Sequence, residues 1–213
     1  MIGFYDYTVV LTYISLMISM YGMTLCVEGH FKRAIVCLAL SGLCDMFDGK
    51  IARTKKNRTS EEKSFGIQID SLCDIVCFGI QPIMICFSMG IRDTIGVAVL
   101  LVYGLAGLIR LAFYNVKEQI RQNETTENRK YYQGLPITAV SVILPILYML
   151  RPAFQDDVFL IVLRVVMFGM AVLFVTDFKF KKPSNIMLVI LVTVVAAAII
   201  YMFSTHWLMW RMS

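Results

Sequence analysis

Four aspartates, Asp45, Asp48, Asp70 and Asp74, stand at the edges of two strongly apolar stretches, the first pair three residues apart and the second pair four. Helical residues at those spacings share a face, so each pair can aim its carboxylates in one direction. At about 100° per residue, Asp45, Asp48, Gly49 and Ala52 fall within an arc of roughly 80–100°. Gly66, Asp70, Cys73, Asp74 and Cys77 occupy a similar arc on the helix that follows. Four facing carboxylates can bind divalent cations, relay protons or ions through a transporter, or pair structurally with Lys50, Arg53 and Arg110. Four acids cluster where few bases could neutralise them, which weakens the pairing reading. Acids left unpaired must take up protons or attract cations. Hard oxygen donors favour Mg²⁺, Mn²⁺ or Ca²⁺ over zinc. Two such helices could hold two metals ~3.5–4 Å apart, a spacing suited to displacement at phosphorus.

The small residues on the two acidic faces refine the metal reading. A side chain at Gly49, Ala52 or Gly66 would keep a flat or bulky ligand away from the helix backbones. Close helix packing is the ordinary explanation for a single such residue; beside the aspartates, a ligand cleft explains all three. Arg53 follows the first acidic face by little more than one turn and could grip phosphate through its planar fork.

The elements that must position these residues are membrane helices. The chain has 213 residues, 58% hydrophobic and only 16% charged, with a mean hydropathy of +0.71. A soluble domain of that length would carry more polar surface. Apolar runs of ~20 residues suit a ~30 Å hydrocarbon core, and backbone groups in lipid must bond internally. The expectation is an all-α integral membrane bundle of about 6–8 transmembrane helices, with spans near 7–27, 33–54, 66–89, 94–116, 135–150, 158–176 and 185–209. No signal-peptide pattern or repeat is visible, so residues 1–213 read as a single transmembrane domain. The six cysteines form no C-x-x-C pair and read as buried small apolar residues.

Loop charge orients the bundle. Arg53, Lys55, Lys56, Arg58, Lys63, Lys117, Arg121, Arg129, Lys130, Lys179, Lys181 and Lys182 fall on one side. Lys32, Arg33, Arg92, Arg151 and Arg211 fall on the other. The positive-inside bias makes the first side cytoplasmic and puts the aspartates at cytoplasmic helix ends, in the cell membrane. Topology and attraction to anionic lipid account for these charges, so nucleic acid is not an expected partner.

Asp45-x-x-Asp48-Gly49-x-x-Ala52-Arg53 followed by Gly66-x-x-x-Asp70-x-x-x-Asp74 closely resembles the signature of the CDP-alcohol phosphatidyltransferases. Two departures stand out. Twelve residues separate Arg53 from Gly66 where the family usually has about eight, and Asp6-Tyr7-Thr8 replaces the common Pro-Asn before the first span. The resemblance implies a six-helix core open to the cytoplasm and to lipid, in a homodimer. Its members move a phosphatidyl group from CDP-diacylglycerol to an alcohol and release CMP. By position, Asp45, Asp48, Asp70 and Asp74 would bind the metals, Mg²⁺ or Mn²⁺ and two per site. Asp74 would also be the general base. Asp48, Gly49, Ala52, Arg53 and Gly66 would hold the CDP portion.

Residues outside the signature point to a branch. Ile69 to Asp74 with Phe78-Gly79 and Pro82, Arg110 to Asn115, and Gly134-Leu135-Pro136 look like the family's phosphatidylserine synthase version. The similarity runs from about residue 8 to 140. It implies L-serine as acceptor, with Arg110, Asn115 and Gln133 as candidates for holding its charged groups. Glycerol phosphate or inositol phosphate would be the acceptor in neighbouring branches and would call for more than one arginine. An ion-coupled transporter leaves Gly49, Ala52, Arg53 and Gly66 unexplained together.

Overall fold

A computed structural model of the chain describes residues 3–4, 6–52, 54–55, 59–124, 131–181 and 192–201. The described residues form helices α1 (Tyr7–Val27), α2 (Phe31–Ala52), α3 (Ser60–Ser88), α4 (Thr94–Glu124), α5 (Ile137–Met149), α6 (Asp156–Val175) and α7 (Val192–Tyr201). A short antiparallel ladder, β1 (Tyr131–Gln133) with β2 (Lys179–Lys181), joins two connections at one end. Helices α1, α3, α4 and α6 are long and apolar enough to cross a membrane, and the protein is a multi-pass membrane protein. At 22 residues α2 matches α1 and α6 in length. It is less apolar because Asp45, Asp48 and Lys50 share its second half.

Two boundaries differ from the sequence expectation, each for a local reason. Helix α3 begins at Ser60 rather than near 66, because Thr59 and Glu62 form a capping box. The Glu62 amide donates to Thr59 Oγ1 (3.1 Å), and the Thr59 amide donates to Glu62 Oε2 (2.9 Å). That satisfies two amides a helix start otherwise leaves open. Helix α4 continues past 116 to Glu124. Its last turns are rich in good helix formers, with Glu118 and Arg121 paired three residues apart. Of the expected last span, 185–191 and 202–209 lie outside the described residues.

The first three helices are joined by a polar seam. Thr8, Thr12, Ser15, Ser19 and Gly22 recur every three or four residues on α1 and are all buried. Ser15 Oγ donates to the Ser41 carbonyl (3.1 Å), and Ser41 Oγ returns a bond to the Ser15 carbonyl (3.0 Å). Gln81, fully buried on α3, accepts from Ser19 Oγ (2.8 Å) and donates to the Ala34 carbonyl (3.1 Å). At Gly22 an added Cβ would sit 2.7 Å from Cys37 Cβ, so α1 and α2 meet almost backbone to backbone. Small residues and reciprocal hydrogen bonds are what bind helices where the solvent is itself apolar. Around this seam lies a core that includes Ile35, Leu38, Phe78, Ile85, Leu100, Tyr103 and Met167. Leu101, Leu105, Leu108, Ile161 and Val165 remain exposed and form an apolar belt on α4 and α6, as a hydrocarbon surrounding requires.

Helix α3 is interrupted in mid-course. Residues Ile75–Ile80 form a π-helical turn in which the Gln81 amide donates to the carbonyl of Val76, five residues back. The turn starts immediately after Asp74.

Candidate active site

The polar seam ends at the four aspartates. Asp45 on α2 and Asp70 and Asp74 on α3 each offer a carboxylate oxygen, and these atoms lie within 4.8 Å of one another. Asp48, one turn after Asp45 and buried, lies against Asp70 and accepts a hydrogen bond from Thr12 Oγ1 at 3.1 Å. Among the described residues, the charged side chains facing these four acids are the other acids. Of the three bases weighed as pairing partners, Arg53 lies outside the described residues, and Lys50 and Arg110 each lie against an aromatic ring. The Lys50 ammonium is 5.3 Å from the Phe47 ring centroid, and the Arg110 guanidinium lies over the Tyr114 ring at 4.5 Å.

A cluster of ionised carboxylates with no described basic neighbour repels itself unless cations enter. The donor set, oxygen only and drawn from two helices, fits a hard divalent cation such as Mg²⁺ or Mn²⁺. Sequence reasoning found all four acids but missed Thr12. The signal available was the stripe of small polar residues on α1, which places Thr12 on the face turned toward α2.

Gly49 and Ala52 are half-buried on α2 beyond Asp48, and Gly66 is half-buried one turn before Asp70. Arg53 lies outside the described residues. At this end of the bundle the first residues of the chain reach the α2–α3 connection and the start of α3 at three points. Lys55 Nζ donates to Asp6 Oδ2 (2.5 Å) and to Glu62 Oε1 (3.0 Å). Tyr7 Oη and Thr54 Oγ1 are 3.1 Å apart, and the Phe4 and Phe65 rings meet edge to face at 5.4 Å. The hydrogen bond from Lys55 holds the Asp6 carboxyl below its ordinary 3.8, and Asp6 followed by Glu62 lifts Lys55 above its ordinary 10.5.

The candidate acceptor residues are spread along α4 and the ladder. Arg110 is buried. Asn115 is tied to α3 next to Asp70, since Ser71 Oγ donates to Asn115 Oδ1 (2.6 Å) and Asn115 Nδ2 donates to Gln68 Oε1 (3.4 Å). The backbone of Gln133 is in β1; its side chain lies outside the described residues. The next residue, Gly134, has φ +68° and donates its amide to the Phe178 carbonyl (2.8 Å), while Leu135 donates to the Leu173 carbonyl (3.1 Å). These bonds close the end of α6 and bring the ladder to the α4–α5 connection.

A sequence model of the CDP-alcohol phosphatidyltransferases matches residues 8–176. The chain is 36% identical over 137 residues to the CDP-diacylglycerol–serine O-phosphatidyltransferase of Saccharomyces cerevisiae, covering 63% of this chain and 48% of that protein. It is 33% identical over 116 residues to the Helicobacter pylori protein of the same name, covering 54% and 45%. It is 29% identical over 126 residues to the archaetidylserine synthase of Methanothermobacter thermautotrophicus, covering 59% and 50%. The chain spans about half the length of the curated relatives it matches.

Proposed function

The chain belongs to the CDP-alcohol phosphatidyltransferase family, and on that premise we propose that it transfers the phosphatidyl group of CDP-diacylglycerol to the hydroxyl of L-serine, giving phosphatidylserine and CMP. The observation that carries the proposal is the meeting of Asp45, Asp70 and Asp74 within 4.8 Å, a cluster of oxygen donors suited to a divalent cation that would meet a lipid pyrophosphate. Serine as acceptor is supported by the names of relatives that differ in their lipid and share that amino acid.

Asp45, Asp48, Asp70 and Asp74 hold the divalent cations, two Mg²⁺ or Mn²⁺ per site. Bound there, they supply positive charge that offsets the pyrophosphate and the departing CMP. Asp48, Gly49, Ala52, Arg53 and Gly66 receive the CDP portion, Arg53 by a forked contact to phosphate. Asp74 accepts the proton of the serine hydroxyl as its oxygen bonds to the phosphorus that carries diacylglycerol. The bond from that phosphorus to the CMP oxygen breaks on the opposite side, and CMP leaves with the electron pair. Arg110, Asn115 and Gln133 orient the carboxylate and ammonium of serine. The catalytic unit spans the whole chain and works as a homodimer, with its site open to the cytoplasm in the cell membrane. A radiolabelled CDP-diacylglycerol assay on purified protein, run across serine, glycerol phosphate and inositol phosphate, tests both the reaction and the acceptor.

A further inference from the structure

The π turn in α3 has an identifiable cause and an identifiable partner. In an uninterrupted α-helix the Phe78 carbonyl would accept from the amide four residues on. That residue is Pro82, which has no N–H. The carbonyl is deep in the bundle, since Phe78 is fully buried, and an unpaired buried carbonyl is costly. Tyr103, from the middle of α4 and also fully buried, donates its hydroxyl to Phe78 O at 2.6 Å.

The geometry of the turn bears on the acids. One extra residue in a turn rotates everything beyond it by about 100° relative to what precedes it. Asp74 and Gln81, seven residues apart, would share a face on an unbroken helix. Here both halves of α3 meet α1 and α2: Asp74 and Asp70 face Asp45, and Gln81 reaches Ser19 on α1 and the Ala34 carbonyl on α2. Cys77, inside the turn, comes within 3.8 Å of Ser15 Oγ. The turn lies between Asp74 and Gln81, so it sets how the acidic half of α3 is aligned with the half that the polar seam anchors.

We infer that Tyr103 is a positioning residue for the metal-binding acids: its hydroxyl holds the widened turn that sets the direction of Asp70 and Asp74. Tyr103 acts through the Phe78 carbonyl and is not one of the clustered acids. The inference rests on the acidic face binding a divalent cation, and the test separates the two. Mn²⁺ binding to purified protein is followed by the electron paramagnetic resonance of the free ion, for wild type, Tyr103→Phe, Pro82→Ala and the double variant, alongside thermal unfolding without metal.

In Pro82→Ala the new amide can also donate to Phe78 O, so that carbonyl no longer depends on the tyrosine hydroxyl. Expected are Mn²⁺ binding about fivefold weaker in Tyr103→Phe, the size of one lost buried hydrogen bond, and no further loss when Tyr103→Phe is added to Pro82→Ala. Unchanged Mn²⁺ binding in Tyr103→Phe overturns the inference, as do losses that simply add. A Tyr103→Phe protein that cannot be recovered folded also counts against it, because the hydroxyl would then serve the fold and not the acidic face. Wild-type protein that binds no Mn²⁺ instead overturns the metal reading.

Discussion

Asp45 and Asp74, twenty-nine positions apart on two helices, bring carboxylate oxygens within 4.8 Å of each other. Like charges at that distance repel by several kcal/mol at intermediate dielectric, so the contact makes sense as half of a site that a cation completes. In the proposed reaction Asp74 has two tasks, holding cation and taking a proton. Asp74→Asn keeps the shape while removing the basic oxygen. Turnover should fall by about 10²–10⁴-fold with CDP-diacylglycerol binding retained, read as CMP release against equilibrium binding of the lipid nucleotide.

Thr12 supports the site from α1. Its hydroxyl donates to Asp48, and bonds to a charged acceptor contribute about 1.5–3 kcal/mol. Thr12→Val preserves volume and removes the donor. The Mn²⁺ concentration for half-maximal activity should rise about tenfold, with Thr12→Ser restoring it; a full titration in detergent checks this.

Gly134 combines a left-handed backbone with crowded surroundings. Its φ is +68°, and an added Cβ would lie 3.0–3.2 Å from the carbonyl oxygens of Thr176, Leu173 and Phe174. Gly134→Ala should destabilise the protein by about 1–2 kcal/mol from the backbone conformation alone, measured as a lowered Tm.

The Asp6–Lys55–Glu62 clasp is half-buried at the end of the bundle and should respond to salt more than to pH. Asp6 is held below its ordinary carboxylate value, so its contribution is complete above that value and lost as pH falls through the depressed one. Lys55 is raised, so its contribution is complete below its ordinary value and lost only as pH climbs through the raised one. From about pH 5 to about pH 9 the clasp stays charged. Added salt screens it. The Tm of wild type should fall as NaCl rises, and Asp6→Asn should remove most of that salt dependence without altering the pH profile in this window.

Much of the site was legible because its spacing carries the geometry: acids three and four apart must share a helical face wherever the helices go. Span lengths were legible from hydropathy for the same reason. The start of α3 was written in the sequence as Thr59-x-x-Glu62, but its surrounding charges read as a loop. Three further features depend on contacts between distant segments. Pro82 announces a disturbed helix without saying that Tyr103, on another helix, supplies the missing donor. Thr12 shows a small polar face without showing that Asp48 lies across from it. The three-residue strands β1 and β2 pair where Gly134 turns the chain back on the end of α6.

The most direct test is acceptor-dependent CMP release from CDP-diacylglycerol by purified, chelator-treated protein, with Mn²⁺ added back. Release that needs both Mn²⁺ and serine, matched by equal formation of phosphatidylserine and abolished in Asp70→Asn, is the expected result. Release that ignores serine, or that proceeds with glycerol phosphate or inositol phosphate in its place, would contradict the proposed reaction.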